Sequence, residues 1–554
     1  MKIIILIMLG ILSLDMMLDI YFMHAMTAGV VLVITLASMI VILNMRRAGE
    51  RQTKSKSVVK GWELGKAFEL SNPDRPTPVD NAIIAPGILN LGLLFIGGPG
   101  AGKTESATLG FINQLKNHSP GSGWVYFEGK GDVDIYKKAV AMGDALDYFF
   151  SSELSGSSTI NLFAGTAHDV IDRLGKILIG ETTSTSFYSD EQRAVLARII
   201  PLLRCLPDPT NMRDLYVALS VEDAGNELLR RAKEAGTDPV ELTMAGQWLA
   251  QPIATRLKNV SGLLNRLFIF VHGPYADRLN AYQPDIVISE AVTNGKKLYL
   301  HLPLTSFAKD VAVAIIETFG VEARKRQLAG TENLKIYPQL YDDWGAFFHA
   351  GFGPFSARCR SAGMPLSFGF QSRAQLDAVS HTFADELDDT IATKIILRVQ
   401  GSKTSAYAID LLGQYEAHDV GTSDSSSGND NTSVRYIQQA RINPRQLREL
   451  QPGEAYVSTL IKSSNKVTNP LWKLRLPLPN FNGWQSIQLP AARVHDEGRG
   501  LGLWSRYMNP AKLAEIHATV EASILETEGN EKAATALNRE AAFERLSLNP
   551  GFID

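Results

Sequence analysis

Cysteine is almost absent from this chain, and neither sign of charge dominates it. The only cysteines among 554 residues are Cys205 and Cys359, which excludes a disulfide framework or a cysteine-based metal cluster and is typical of a reducing cytoplasm. A formal net charge of −3 excludes a wholly basic surface for nucleic acid but leaves open a locally basic channel. The 45% apolar content is sufficient for several domains, each with its own core.

The N-terminus contains two apolar runs. Residues 3–14 are almost wholly apolar, and residues 26–43 are uncharged and, at about 1.5 Å per residue, long enough to cross a bilayer core. Six basic residues follow within residues 46–60, which orients the remainder of the chain toward the cytoplasm. We therefore predict a transmembrane anchor at residues 1–48. A helical hairpin is favoured over a single span, and a cleaved signal peptide is disfavoured because no small-x-small cleavage site separates the two runs.

A phosphate-binding motif follows the next apolar run, Leu91 to Ile96. The eight residues are Gly97, Gly98, Pro99, Gly100, Ala101, Gly102, Lys103 and Thr104, which match a strand followed by GxxxxGK[ST]. Small residues allow backbone N–H groups to surround a triphosphate, Lys103 would neutralise the β and γ phosphates, and Thr104 would bind Mg²⁺. The motif predicts ATP and Mg²⁺ binding. The alternative interpretation is an ordinary Gly-rich turn.

Strand and helix patterns alternate around this motif, as in an α/β fold. Further strands are predicted at residues 123–128, 297–302, 334–341, 366–370 and 395–399. Between about residues 167 and 280 the strand patterns disappear and helical periodicity replaces them, which predicts an inserted all-α domain. Residues 128–132 (EGKGD) would carry polar groups to the carboxyl edge of the second strand, the usual ligand side of such sheets.

Polar residues at the ends of two later strands are candidates for catalysis. Asp342 and Asp343 follow an apolar strand, a pattern that holds Mg²⁺ and orients the attacking water in P-loop NTPases. Gln371 at the end of the following strand could sense the γ-phosphate, and Arg360 ahead of it could reach the phosphate of a neighbouring subunit. The alternative interpretations are a turn at the two aspartates and ordinary surface positions for the other two residues.

The order of these motifs resembles the coupling proteins of type IV secretion and conjugation. The motifs are GGPGAGKT, FEGKGD, the helical insertion, LYDDWG and RSAGMPLSFGFQSRAQL, behind a membrane anchor, and the resemblance covers residues 1 to about 460. It implies a RecA-like, ATP-hydrolysing motor that forms a homo-hexamer in the bacterial inner membrane. Such a motor would bind DNA without sequence preference and pass a relaxase–DNA complex, or an effector or adaptor protein, to the secretion channel.

The resemblance also implies roles for single residues. Lys103 and Thr104 would bind nucleotide, Asp342 would bind Mg²⁺, Arg360 would act across a subunit boundary and Gln371 would sense the γ-phosphate.

The chain departs from the family pattern at three positions. Asp343 stands where the catalytic Glu is usual, Glu128 where many relatives have Asp, and Thr393 where many have Asn. Because the side chain of Asp343 is one methylene shorter than Glu, turnover is expected to be slow or dependent on assembly.

The predicted domains are a nucleotide-binding domain in two parts, at residues 49–166 and 281–480, an all-α domain at 167–280, and a helical C-terminal tail at 481–554. Residues 421–433 are polar and rich in Gly and Ser, which predicts a loop. Residues 512–554 contain eight acidic and four basic side chains, and a solvated helix is favoured there over a partner-docking tail.

Three functions remain open at this point. The first is a conjugative DNA-transport ATPase, and the second is the same motor dedicated to effector proteins. The third is a membrane scaffold that binds ATP with little turnover. A chromosome-segregation or DNA-packaging translocase is a more distant alternative.

Overall fold

A computed structural model gives the fold for most of the chain. It describes residues 61–143, 146–179, 187–273, 276–303, 305–330, 335–342, 347, 352–377, 381–423, 431–463, 466–493, 502–509, 511–522 and 524–525. The predicted anchor at residues 1–48 lies outside these ranges. Within them, no helix combines the length and the apolar character needed to cross a membrane.

The strands of the described ranges are between three and ten residues long. They are β1 (Trp62–Glu69), β2 (Thr77–Ile84), β3 (Leu93–Ile96), β4 (Trp124–Glu128), β5 (Tyr148–Ser151), β6 (Lys297–His301), β7 (Gln339–Asp342), β8 (Leu366–Phe370), β9 (Thr393–Ile396), β10 (Gln414–Ser423), β11 (Asn431–Ala440), β12 (Glu454–Ser458), β13 (Ile461–Ser463), β14 (Lys466–Thr468) and β15 (Leu471–Arg475).

In the described part of the chain, eleven strands form one mixed sheet. Its order is β2-β1-β15-β12-β9-β3-β8-β7-β4-β6-β5. The seven strands from β9 to β5 are parallel, and β12, β15, β1 and β2 extend the sheet with antiparallel pairs. All four residues of β3 (LLFI) and all five of β4 (WVYFE) are buried, as expected for parallel strands covered on both faces.

The α/β class is therefore confirmed, and each of the six predicted strands overlaps a strand of the parallel part. β5 and the antiparallel strands were not predicted individually. The sequence of β5, YFFS, has only four residues and is too short for its periodicity to distinguish strand from helix.

Helices connect the strands and form most of the middle of the chain. They are α1 (Pro86–Leu89), α2 (Leu109–His118), α3 (Val133–Ala141), α4 (Ala167–Leu174), α5 (Phe187–Cys205), α6 (Met212–Ser220), α7 (Glu222–Glu234), α8 (Pro239–Leu249), α9 (Ile253–His272), α10 (Ala276–Leu279), α11 (Ile288–Thr293), α12 (Ser306–Ala329), α13 (Phe352–Ser361), α14 (Arg373–Asp377), α15 (His381–Thr390), α16 (Ser402–Leu412), α17 (Pro444–Arg448) and α18 (Leu503–Tyr507). π-helical turns occur at Lys103–Thr108 and Gly175–Ile179, and a 3-10 turn at Trp484–Ser486.

The segment between β5 and β6 is helical, with only isolated bridges among its described residues. Capping boxes begin α4 at Thr166 and α6 at Asn211, where a side-chain oxygen accepts from the third backbone N–H. Buried apolar residues such as Leu215 and Leu264 join one continuous core with α12 and the parallel strands. The helical character agrees with the sequence, and the domain boundaries stay a prediction.

The tail is packed, not solvated, where the structure describes it. Residues 511–522 are helical, and Leu513, Ile516 and Val520 are each at most 5% exposed. Their spacing of three and four residues places them on one helix face, which joins the core of the helical segment together with Leu503. The favoured solvated helix at residues 512–554 is therefore wrong for residues 512–522. Most of the remainder lies outside the described ranges.

The Gly/Ser-rich segment is only partly a loop. β10 continues to Ser423 and β11 begins at Asn431, and the two strands pair in an antiparallel hairpin. The loop prediction for residues 421–433 is therefore wrong at both ends, because backbone pairing extends each strand into the polar sequence. Residues 424–430 lie outside the described ranges.

Candidate nucleotide-binding site

The P-loop leaves β3 at the carboxyl edge of the parallel strands. The backbone N–H of Gly97 donates to Phe370 O at 3.2 Å, and that of Gly98 donates to Arg398 O at 2.9 Å, so the loop is held between the ends of β8 and β9. Gly100 and Gly102 have φ angles of 66° and 91°, in the left-handed region that favours glycine. A side chain at Gly102 is also excluded because its Cβ would lie 2.9 Å from Gly453 N.

A helical segment begins at the end of this loop. Gly102 precedes the π-helical turn Lys103–Thr108, which continues directly into α2. The first N–H groups of a helix lack intrahelical acceptors and carry partial positive charge, which suits a phosphate group. The P-loop therefore runs directly into a helix that starts with a π turn.

Asp342 meets the P-loop from the neighbouring part of the sheet. Thr104 Oγ1 donates to Asp342 Oδ2 at 2.7 Å, and Tyr126 Oη donates to the same oxygen at 3.1 Å. Asp342 Oδ1 is buried and accepts no hydrogen bond from any described residue. A buried carboxylate oxygen without a partner, beside a threonine hydroxyl, is the donor set that Mg²⁺ prefers. The residues present therefore fit the ion.

Two lysines lie close to this carboxylate. Lys103 is 6% exposed, and its burial lowers its pKa to about 8, with Asp342 opposing and Lys130 adding to that effect. The Lys130 Nζ atom lies 3.8 Å from Asp342 Oδ2. Positive charge thus accumulates at a point where a triphosphate can be bound.

Glu128 lies next to Asp342 in the sheet, where β4 and β7 pair in register. Its carboxylate is fully buried, and burial raises its pKa to about 7 although three backbone N–H groups donate to it. Tyr126 is also fully buried, and burial followed by the charge of Asp342 raises its pKa well above the usual value. Tyr126 is therefore a neutral hydroxyl that donates to Asp342.

A cavity of about 430 Å³ opens above these groups. Its lining includes P-loop residues Gly98 to Thr104, together with Glu105, Ser106, Lys130, Gln371, Pro452, Gly453, Arg475, Leu476 and Leu478. One wall is thus the phosphate loop, and the other comes from the turn before β12 and the segment after β15. A pocket of this size suits a small ligand such as a nucleotide.

The structure brings together most of the predicted site residues. Lys103, Thr104 and Gln371 line the cavity, and Asp342 bonds to Thr104 beneath it. Gly97 directly follows β3 and donates its backbone N–H to Phe370 O, which ties the start of the loop to the end of β8. Asp343 lies outside the described ranges.

Arg360 is not part of this cavity. It is exposed near the end of α13, before β8 begins, whereas Gln371 follows the last residue of β8. The five residues of β8 separate the two by roughly 16 Å of strand, so they lie at opposite edges of the sheet. Within one chain, Arg360 is not among the residues that line the cavity.

Sequence reasoning missed several residues of the site. Gly369 is one: a Cβ there would lie 3.2 Å from Asp342 Oδ1 and 3.4 Å from Lys103 Cδ, so its hydrogen side chain leaves room for both. Gly453 and Arg475 were also missed, since they are some 350 residues from the P-loop and no motif marks them. Lys130 lies within the FEGKGD motif, which the sequence identifies as a polar turn without indicating a role for the lysine side chain.

Comparison with known proteins agrees with this architecture. Residues 351–452 match a family profile described as the TraM recognition site of TraD and TraG. Over 466 residues the chain is 20% identical to the type 4 coupling protein DotL of Legionella pneumophila. The aligned region covers 70% of this chain and 58% of DotL. The chain resembles the type IV secretion coupling proteins, as its motifs predict. That prediction is confirmed.

One solved coupling-protein structure shares the fold. Unbound TrwB, a bacterial conjugative coupling protein without its first 70 residues, superposes with a TM-score of 0.50 at 16% identity, covering 72% of this chain and 88% of TrwB. TrwB in complex with the ATP analogue ADPNP has a TM-score of 0.49 at 17% identity, covering 71% and 86%. The likeness to unbound TrwB shows a coupling-protein-like α/β fold.

Proposed function

We propose that this chain is a Mg²⁺-dependent ATPase that couples a substrate to a type IV secretion channel. The observation that carries the proposal is the Thr104–Asp342 hydrogen bond beside Lys103, with the second oxygen of Asp342 buried and unpaired. An aspartate with a purely structural role would have both carboxylate oxygens paired, because an unsatisfied buried carboxylate oxygen is costly. A Cβ at Gly369 would lie 3.2 Å from this oxygen of Asp342 and 3.4 Å from Lys103 Cδ, which places the oxygen close to the P-loop lysine.

Each residue has a distinct task in the proposed reaction. Thr104 and Asp342 would hold Mg²⁺, which neutralises charge on the β and γ phosphates when bound. Lys103 donates hydrogen bonds to phosphate oxygens from a nearly buried position, where they are strong. Gln371, at the rim of the cavity, senses the γ-phosphate, and Asp343 orients the attacking water.

The proposed assembly is a homo-hexamer in the bacterial inner membrane, anchored by residues 1–48. In this assembly Arg360, which is exposed and does not line the cavity of its own chain, would act on the nucleotide of a neighbouring subunit. Arg360→Ala should then bind nucleotide normally and fail to hydrolyse it. Mixing it with Asp343→Ala protein should restore part of the activity, whereas mixed rings without rescue would contradict a trans role.

The proposed substrate is a relaxase–DNA complex in conjugation. The match of residues 351–452 to a TraM recognition site supports a protein partner on that segment. DNA binding should be independent of sequence, weaken steeply with salt, and accelerate hydrolysis at low ionic strength. Absence of both DNA binding and stimulation would favour the effector-protein alternative.

The central experiment is Lys103→Ala in the full-length chain. We expect loss of hydrolysis and of transfer, because the phosphate charge is no longer neutralised in the transition state. Lys66→Ala, on the exposed side of β1, is the matched control. A folded Lys103→Ala protein that hydrolyses ATP at the normal rate would refute the site assignment.

A further inference from the structure

The turn after β4 brings a second lysine to the nucleotide site. Lys130 lines the same cavity as the P-loop, and its Nζ atom lies 3.8 Å from Asp342 Oδ2. Its side chain is 37% exposed, so the ammonium is hydrated and can change partner. An ion pair at this distance with a partly exposed lysine is weak, so exchanging Asp342 for another anion costs little.

Glu128 fixes the backbone from which Lys130 extends. Its Oε1 accepts from Lys130 N at 2.8 Å, and its Oε2 accepts from Gly131 N at 2.7 Å and from Asp132 N at 3.0 Å. The Asp132 side chain then caps α3 by accepting from Asp134 N at 2.9 Å. The turn is therefore clamped on one side by a buried carboxylate and on the other by a helix.

This arrangement excludes the simpler interpretation of the Gly-rich turn as a phosphate cradle. Three successive N–H groups form an anion-binding nest, but the protein's own Glu128 carboxylate occupies it. What the turn presents to the cavity is the Lys130 side chain, on a flexible four-carbon stem.

We propose that Lys130 is a second phosphate-binding lysine, aimed by Glu128, that leaves Asp342 for the terminal phosphate of a nucleoside triphosphate when the metal binds. This inference rests on the proposed function. A divalent cation at Asp342 competes with the ammonium for the same carboxylate and repels it. The terminal phosphate of a nucleotide in the cavity would then offer the ammonium a new anion, because Lys130 lines the same cavity as the P-loop.

The proposal predicts discrimination between triphosphate and diphosphate. With Mg²⁺ present, Lys130→Gln should bind a non-hydrolysable ATP analogue about tenfold more weakly, equivalent to about 1.4 kcal/mol. Its affinity for ADP should change less than about twofold, because ADP lacks the group that Lys130 contacts. Lys130→Arg should restore most of the triphosphate affinity, since it retains the charge.

The measurement is titration calorimetry on the full-length chain, with thermal unfolding of each variant as the folding check. Lys137→Gln is the matched control, because Lys137 lies on α3 nearby, pairs with Asp134 and does not line the cavity. Equal affinities of Lys130→Gln and wild type for the triphosphate would overturn the inference. An equal loss for both nucleotides would also overturn it, since Lys130 would then act only through Asp342.

The role of Glu128 as a positioning residue needs a different readout. Glu128→Gln replaces one accepting oxygen by an NH₂ group and should weaken triphosphate binding in the wild-type background. In the Lys130→Gln background the same change should have little further effect, because its target is already absent. Additive losses would overturn the positioning role. Failure of the wild-type chain to bind any Mg²⁺–nucleotide would instead refute the proposed function.

Discussion

Two buried aspartates, Asp342 at the sheet edge and Asp214 in the helical segment, differ in how completely their oxygens are used. Asp214 Oδ1 accepts from Tyr282 Oη at 3.0 Å and from Trp504 N at 3.1 Å, and its Oδ2 accepts from Asn211 N at 3.1 Å. Asp342 Oδ2 accepts two hydrogen bonds, whereas its Oδ1 is buried and accepts none from the described residues. Asp214, with both oxygens paired, has a structural role, whereas the unpaired oxygen of Asp342 beside the P-loop is consistent with the proposed ligand site.

The difference also separates what each region contributes. Asp214 joins the start of α6 to α18 at the tail, so it holds together segments almost 300 residues apart. Asp342 joins the P-loop to β7 through Thr104, at the place where the proposed Mg²⁺ would bind. An aspartate thus stabilises the helical segment at position 214 and belongs to the proposed binding site at position 342.

The largest expected effect that tests this comparison is on activity. Asp342→Asn should lower Mg²⁺-dependent hydrolysis by on the order of 100-fold or more, because the neutral amide no longer attracts the cation. The melting temperature should change little, since Asn can still accept from Thr104. Steady-state ATPase assays and thermal unfolding measure both. Retained hydrolysis in Asp342→Asn would show that the unpaired oxygen of Asp342 does not mark a metal site, and the contrast with Asp214 would fail.

Asp214→Ala should have the opposite profile. It leaves three buried donors without an acceptor, so the free energy of unfolding should fall by about 3 kcal/mol, while nucleotide affinity stays unchanged. Urea unfolding and nucleotide titration are the measurements. Asp238→Ala is the control, because Asp238 caps exposed α8 through Val240 N and its loss should cost about 1 kcal/mol. Equal losses for the two variants would contradict a central role for Asp214.

Acid–base behaviour should sharpen the contrast further. Burial raises the pKa of Asp214, against the opposing effect of its hydrogen bonds. The folded protein therefore holds this proton more tightly than the unfolded chain. The stabilisation that comes from this tighter proton binding is complete below the pKa of Asp214 in the unfolded chain, about 4. It is lost as pH rises through the pKa of Asp214 in the folded protein. The stability of wild type minus that of Asp214→Asn, from urea unfolding, should fall as pH rises above about 4. A stability difference between wild type and Asp214→Asn that does not change with pH would contradict this prediction.

The smallest expected effect tests the open space beside Asp342. Gly369→Ala would place a methyl group 3.2 Å from Asp342 Oδ1, tighter than an ordinary contact. We expect the Mg²⁺ concentration for half-maximal hydrolysis to rise about threefold, a loss of less than 1 kcal/mol. Gly87→Ala, where a Cβ meets nothing within 4 Å, is the control. An unchanged Mg²⁺ requirement would show that the vacancy tolerates the added methyl.

The parallel part of the sheet was predictable because its strands are continuous apolar runs. Residues 366–370 were predicted as a strand, and β8 has the same bounds. The antiparallel strands β1 and β2 alternate polar and apolar residues over stretches with Pro and Gly, a weaker signal. The packed tail was missed because an acidic composition does not reveal that three apolar residues share one helix face.

The sequence alone determined the P-loop, because eight consecutive residues after a buried strand specify both the backbone shape and the position of Lys103. It also predicted a carboxylate at the end of the strand that became β7, where Asp342 is the last residue. Only the tertiary structure decided that Asp342 bonds to Thr104, 238 residues away, and that one of its oxygens stays unpaired. It likewise decided that Lys130 points at the same carboxylate. The physical reason is that such vacancies and charge pairs arise from strand order in the sheet, which no local pattern records.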